Sequence, residues 1–436
     1  MYVTRRMSQY LDKNPAAMAE RPPEGPGSGF LVVVDEAAAE RAAVCCCGLC
    51  PDVQEFGALP FPQSRQLVLT YRSTPHPAET GVNVVMEVVG QLFNIQSGGA
   101  PGMKMTMETD YVMFIPVVGL PLSSHRYYVV RTDGKHVGRV SACSREEDKT
   151  TCCFCTCVND VPPRPFNHRD VYQQVEVQPL PRGKRFSAGA VAADGIPPEY
   201  LRRKGWKVST ESSKYDLTDD AKGVDVPLRR RRPDLGSSPS PSPVVVVGTW
   251  NVPFIFVRVD DDERRRVRKD LVRRCMFFRM TLEQSWKQIY NCTREDTTTT
   301  HQLPAPAQVV TVTATVRRST PLLGGTYPVQ EVDADGVKWF RPATTAAVPA
   351  VGALGLDMVV WERMIWELER GGWVAGDEVE RIERVERCDV DGMQGRQWDK
   401  FGCYMLVETF VLTRMDGSVA LSYQFCHTDK ISAQWE

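Results

Sequence analysis

The sequence predicts an α+β protein of two domains, mainly antiparallel sheet with few helices. Three observations predict it. Apolar runs of strand length recur between Gly, Pro, Asn and Asp turn residues. They lack the regular helical crossovers that a parallel sheet requires. A stretch of alternating Pro and Ser, LRRRRPDLGSSPSPSP at 228–243, has the composition of an extended linker. It divides an N-terminal domain, 1–227, from a C-terminal one, 244–436.

The elements follow in order. RPPEGPGSG (21–29) reads as a loop leading into an apolar strand, Phe30 to Val34. YVMFIPVVGLPL (111–122) and HRYYVVR (125–131) form a strand pair. The Gly-, Met- and Thr-rich residues 76–110 before them read as a long loop. In GIPPEYLRRKGW (195–206) the prolines open a short helix that ends near Gly205. Beyond the linker, strands are predicted near 244–259 and at 275–280. VVTVTATV (309–316) alternates with period two, as a half-exposed strand does. One helix is predicted over 354–370, with Met358, Trp361, Ile365 and Leu368 as its apolar face. Glu362, Glu367 and Glu369 then fall on a solvent side among arginines. The end of the chain reads as a β-hairpin with Asp416-Gly417 at its turn.

Composition excludes some classes. A net charge of −1 over 436 residues is not that of a dedicated nucleic-acid binder, so no nucleic-acid partner is expected. No apolar stretch approaches the roughly 20 residues of a transmembrane helix. The N-terminus lacks an apolar h-region, so the expected location is cytoplasmic, with nuclear and membrane-peripheral as alternatives. Thiols in a reducing compartment stay free, and clustered ones read as metal ligands or reactive groups.

Those thiols are the most informative feature. CCCGLC (Cys45, Cys46, Cys47, Cys50) and CCFCTC (Cys152, Cys153, Cys155, Cys157) hold eight of the 14 cysteines. Aligned, Cys45, Cys46 and Cys50 fall on Cys152, Cys153 and Cys157. Zinc needs about four soft ligands at tetrahedral angles, and two tight turns supply them. The candidate set is Cys46, Cys50, Cys153 and Cys157, with Cys155 as alternate, in a structural zinc site. Two alternatives stand beside it. Clustered thiols are acceptors for S-acylation, which would make a peripheral membrane protein. Buried free cysteines also pack simply as small hydrophobes.

No motif specifies a reaction. HExxH, GxSxG, Walker-type and GxGxxG patterns are absent, and no catalytic residue is assigned. Cys426 and His427 are neighbours on a strand, so their side chains diverge. Arg229–Arg232 reads as a solvated charge run, and the tryptophans at 361, 366 and 373 as core anchors. ERRRVRKDLVRR (263–274) is compensated by the acidic residues 260–263.

Taken together, several segments resemble a land-plant family called domain of unknown function 1262. They include MYVTR (1–5), PPEGP (22–26), LPFPQ (59–63), PLSSHRYYV (121–129), CSREED (143–148) and TCCFC (151–155). PPEYLRRKGW (197–206), MTLEQSW (280–286), WERMIWELE (361–369) and SYQFCHT (422–428) continue the likeness. The resemblance implies an intracellular plant protein with both cysteine clusters in the shared pattern and no assigned activity or cofactor. Cys47 departs from the family's Phe, residues near 79–109 look like an insertion, and the four arginines at 229–232 look peculiar to this chain. The expected role is a non-catalytic interaction or regulatory protein with a protein partner. An enzyme without a recognisable motif is a further class, and it requires a deep polar pocket with facing titratable groups.

Overall fold

The computed structural model describes residues 1–11, 14–34, 54–73, 106–152, 155–181, 183–210, 217, 220–235, 243–258, 276–294, 309–328, 330–334, 336–342, 352–388 and 398–436. Contacts divide the chain into two compact units. The N-terminal unit holds Arg5–Pro22 and Gly29–Asp219; the C-terminal unit holds Met1–Thr4, Pro23–Ser28 and Asp220–Glu436. Most of the described chain is sheet, and helices are few.

Strand β1 (Tyr2–Arg6) carries residues of both units. The N-terminal unit continues with α1 (Ser8–Leu11), α2 (Pro15–Ala19), β2 (Gly29–Val33), β3 (Glu55–Phe56), β4 (Leu67–Ser73), β5 (Thr106–Pro116) and β6 (Arg126–Arg131). It closes with β7 (Lys149–Cys152), β8 (Cys155–Val158), β9 (Gln174–Pro179), β10 (Phe186–Ala190), α3 (Glu199–Arg202) and β11 (Lys207–Thr210). One antiparallel sheet runs β10-β9-β6-β5-β4-β11-β3. The predicted strand at 30–34, the pair at 111–131 and the short helix after Pro198 all form. Of the expected loop 76–110, residues 76–105 lie outside the described residues, and the last five are not loop. Polar residues from Thr106 to Asp110 are strand because they pair with Ser73 to Leu69. The core is aromatic: the rings of Phe61 and Phe114, and of Phe61 and Phe186, lie 4.9 Å apart, and Trp206 stacks on Phe114. Gln63, fully buried, accepts from Val32 N–H and donates to the carbonyls of Phe61 and Phe114.

The C-terminal unit adds β12 (Gly223–Val224), α4 (Val226–Arg231), β13 (Val245–Val252), β14 (Ile255–Arg258), β15 (Phe278–Thr293) and β16 (Val309–Arg317). There follow β17 (Ser319–Leu323), β18 (Gln330–Ala334), β19 (Val337–Arg341), β20 (Ala353–Asp357), α5 (Met358–Arg370), β21 (Val379–Arg387), β22 (Lys400–Arg414) and β23 (Val419–Trp435). Its main sheet orders β17-β23-β22-β15-β13-β1, with β12 beside β13. The hairpin β22–β23 turns at Asp416-Gly417 as predicted; Gly417 has φ 84°, a conformation that favours glycine. The alternating strand at 309–316 is β16, exposed and buried by turns.

The predicted helix at 354–370 needs two corrections. It starts at Met358, because Ala353–Asp357 pairs as β20 with β14 and β19. Asp357 then caps the helix by accepting from Val359 N–H at 2.9 Å. Its buried face is also rotated. Of the four predicted apolar positions only Leu368 is buried; Val359, Val360, Arg363, Met364 and Glu367 join it. Periodicity assigns charges to water, but an ion pair at i,i+4 can enter a core together.

Candidate functional site

The site is built from three long strands and two helices of the C-terminal unit. Glu408 lies on β22 amid apolar neighbours, directly across from Gln284 of β15. On the other side, Leu406 pairs with His427 of β23, so His427 is the diagonal neighbour of Glu408 on the same face. Helix α4 is started by Asp225, which accepts from Leu228 N–H, and it directs Arg229 inward. After the helix, the buried Trp286 indole donates to Pro233 O at 2.7 Å. The basic run is therefore held at both ends. Arg229 is buried rather than solvated, contrary to the reading of 229–232 as a solvated run, because a carboxylate waits for it inside.

Glu408 accepts four hydrogen bonds. Arg229 donates from Nε at 2.7 Å and Nη2 at 2.6 Å, Gln284 Nε2 at 2.9 Å, and His427 Nε2 lies at 3.1 Å. The fork of Arg229 on this carboxylate is the strong bidentate geometry. Burial alone would push the Glu408 carboxyl up; the hydrogen bonds from Arg229 and His427 overrule it and hold the group at about 2. Lys430 Nζ stands 3.0 Å from His427 Nδ1 and also donates to Gly371 O. An ammonium only donates, so Nδ1 accepts and Nε2 carries the proton given to Glu408. Burial lowers the Lys430 pKa; Glu408 and Asp429 oppose this, while Arg229 and Arg232 add to it.

A second buried pair adjoins the first. Arg363 Nη2 donates to Glu367 Oε1 at 2.7 Å across one helical turn, and Arg370 reaches the same oxygen at 3.3 Å. Arg229 Nη1 donates to Glu367 O at 2.9 Å, which satisfies a carbonyl near the helix C-terminus. Burial raises the Glu367 carboxyl despite these arginines. Glu367 is fully buried, which corrects its place on a solvent side; Glu362 and Glu369 are exposed as expected. Gly371 ends the helix because nothing larger fits: a Cβ there would stand 2.0 Å from Arg229 Nη2. Trp366 is flanked by the guanidinium groups of Arg363 and Arg370, while Trp361 and Trp373 pack on Tyr423 and Phe425 as anchors.

These groups open onto a cavity of about 360 Å³. Its charged lining is Arg229, Arg230, Arg232, Arg370, Lys430 and one carboxylate, Glu408. Arg229 is neutralised by Glu408 and Arg370 faces Glu367. Arg230 and Arg232 are exposed and pair with no carboxylate among the described residues. Arg232 is held at φ 61°, a strained conformation for a residue with a side chain. Gln284 is 2% exposed; its amide nitrogen is committed to Glu408, and its Oε1 accepts no hydrogen bond among the described residues.

None of these residues was singled out from sequence as a site. One signal was there: Glu408 is a lone carboxylate in the apolar run Met405–Leu412. Cys426 is buried on β23, and its neighbour His427 turns to the opposite face and pairs with Glu408.

Of the predicted zinc ligands, Cys46, Cys50 and Cys153 lie outside the described residues, as does the basic segment 263–274. Cys157 is half-buried on β8. Cys152 and Cys155 are cross-strand partners at the end of the β7–β8 ladder, and Cys157 follows two residues on. Among the described residues no three His, Cys, Asp or Glu side chains gather as a metal site. No helix among them is long and apolar enough to cross a membrane.

Residues 24–154 match the model of the family described as protein of unknown function (DUF1262). No curated protein matches the chain. Among solved structures it is similar to one titled "Crystal structure of Cry35Ab1", at 10% identity and a TM-score of 0.39, over 86% of this chain and 90% of that one.

Proposed function

We propose that the protein is a non-catalytic binding protein, of two α+β domains, whose C-terminal unit takes up an anionic ligand in the cavity bounded by Arg230, Arg232 and Lys430. The observation that carries this reading is the charge balance of the lining. Five cations face one carboxylate, and that carboxylate is already spent on Arg229. Cations crowded in a partly desolvated cavity repel one another, and an anion relieves them. The volume suits a small molecule.

Binding is favoured over catalysis because the titratable groups are saturated. Glu408 accepts from four donors, and both nitrogens of buried His427 are engaged. Neither is left to move a substrate proton. Calorimetric titration with inorganic phosphate at low salt tests the reading. We expect binding in the parent and a loss of about tenfold or more in Arg230→Ala/Arg232→Ala, with weakening as salt rises. Equal affinity in parent and variant would refute it.

A structural zinc site in the N-terminal unit is a second reading. What favours it is the β7–β8 ladder, which ends at the Cys152–Cys155 pair with a knuckle's two-residue spacing and carries Cys157 beyond it. It uses Cys46, Cys50, Cys153 and Cys157, with Cys155 as alternate, and it fits an intracellular plant protein that works through protein partners. Elemental analysis should find about one zinc per chain in the parent and none in the quadruple Ser variant. Metal-free protein from zinc-containing medium would remove this reading.

A further inference from the structure

We infer that the N-terminal unit holds a ligand site of its own, a groove that takes up an aliphatic monocarboxylate with the carboxylate on Lys184. The groove uses residues of that unit alone, so it stands without the anion reading of the C-terminal cavity.

Its volume is about 540 Å³, within the range of small-molecule sites. Two short helices and the strand β3 build it. Asn14 caps α2 by accepting from Ala16 and Ala17 N–H, and Pro15 opens the first turn. That helix packs on the turn Leu122–Ser124. Met18, half-buried on α2, lines the groove together with Met7, Tyr10 and Phe56, which are buried. Leu11 lines it as well and is 55% exposed. Apolar surface left in water is unfavourable, and an apolar ligand relieves it. Methionine is unbranched and adaptable, so Met7 and Met18 can fit themselves along an alkyl chain.

Charge selects the head of the ligand. Among the described residues two charged side chains line the groove, Glu55 and Lys184. Glu55 is already paired: Lys207 Nζ lies 2.7 Å from its Oε1, and that hydrogen bond lowers the carboxyl pKa. Lys184 pairs with no carboxylate among the described residues; its ammonium donates to the main-chain carbonyl of Glu55 at 3.3 Å. An ammonium has three protons to give, so two remain for a ligand. Burial lowers the pKa of His125, which also lines the groove, so at pH 8 it adds no charge. One cation without a counter-ion matches a monoanion, whereas a dianion would bring a charge with nothing to balance it. Lys184 is also set in place before any ligand arrives. Its stem lies along Gly57, where a Cβ would stand 2.7 Å from Lys184 Cγ.

The test titrates the full chain at pH 8 with octanoate and with octanol, which has the same alkyl chain and no charge. Octanoate is ionised there, because carboxyl groups titrate at about 4. Calorimetry should show octanoate binding about tenfold tighter in the parent, the worth of one hydrogen bond to a charged group. In Lys184→Met the ratio should fall to about one; Lys184 is exposed, so this variant should fold. In Leu11→Ser/Met18→Ser both ligands should weaken together, by about tenfold. Equal binding of the two ligands by the parent would overturn the carboxylate assignment, and so would a ratio unchanged in Lys184→Met. Acetate bound as tightly as octanoate would overturn the alkyl assignment. Failure of both eight-carbon ligands to bind the folded parent would overturn the site itself. So would a parent that sediments as a dimer while Leu11→Ser/Met18→Ser sediments as a monomer, since a second copy would then fill the groove.

Discussion

The two units fill their centres differently. In the N-terminal unit Phe61, Phe114, Phe186 and Trp206 form a cluster of rings, and the polar group beside them, Gln63, is fully satisfied by backbone. In the C-terminal unit the centre of the sheet holds Arg229, Gln284, Glu408 and His427, with Arg363 and Glu367 adjoining. Rings can be buried for the apolar area they remove from water. Charges are buried at a desolvation cost and add little stability over apolar residues of the same shape. An aromatic centre accounts for a fold; an ionised one that opens onto a cationic cavity points to a site.

The largest effects test whether both centres hold their units together. Glu408→Ala would leave Arg229 buried without its carboxylate, and we expect a loss of about 3–5 kcal/mol in denaturant unfolding. Phe61→Ala should lose a similar amount, about 3–5 kcal/mol, through the cavity it leaves. A loss under about 1 kcal/mol in Glu408→Ala would mean that solvent already reaches the network, and the contrast between the units would fail.

Dependence on pH separates the two more sharply. Glu408 is held at about 2, below an unfolded glutamate near 4.3. Its stabilisation is complete above the unfolded value and is lost as pH falls from about 4.3 toward 2, an amount of roughly 3 kcal/mol. Glu367, raised by burial, acts in the opposite sense: its contribution is present below the ordinary carboxylate range and is lost as pH rises through its folded value. Glu408→Gln should therefore flatten the acid limb of the stability–pH curve, whereas Phe61→Ala should lower the whole curve in parallel. Parallel curves for both would break the comparison. The smallest effect belongs to a single polar contact in the N-terminal unit, where Ser141 and Tyr200 share a buried 2.6 Å hydrogen bond. Tyr200→Phe should cost about 1 kcal/mol by thermal or urea unfolding, since Ser141 keeps the ability to turn elsewhere.

Much of the fold was legible because its signals are local. Period-two alternation marked β16, and Asp416-Gly417 marked the last hairpin. The prolines at 197 and 198 marked the start of α3. The site was not, because it is assembled across 179 residues of chain between Arg229 and Glu408. Each member looks ordinary alone. Arg229 reads as one of four solvated arginines, Glu367 as one of several surface glutamates, and Gln284 as a polar residue on a strand. Only their convergence makes them a buried network, and convergence has no signature in spacing. The helix face failed for the same reason: Arg363 and Glu367 neutralise each other, so the apolar stripe no longer marks the buried side.

Whether the cavity takes up an anion is decided by a crystal structure of the full chain grown with tungstate, a heavy oxyanion located by its anomalous signal. We expect an anomalous peak in the cavity beside Arg230, Arg232 and Lys430, absent in Arg230→Ala/Arg232→Ala. Tungstate bound elsewhere on the molecule, with this cavity empty in the parent, would contradict it.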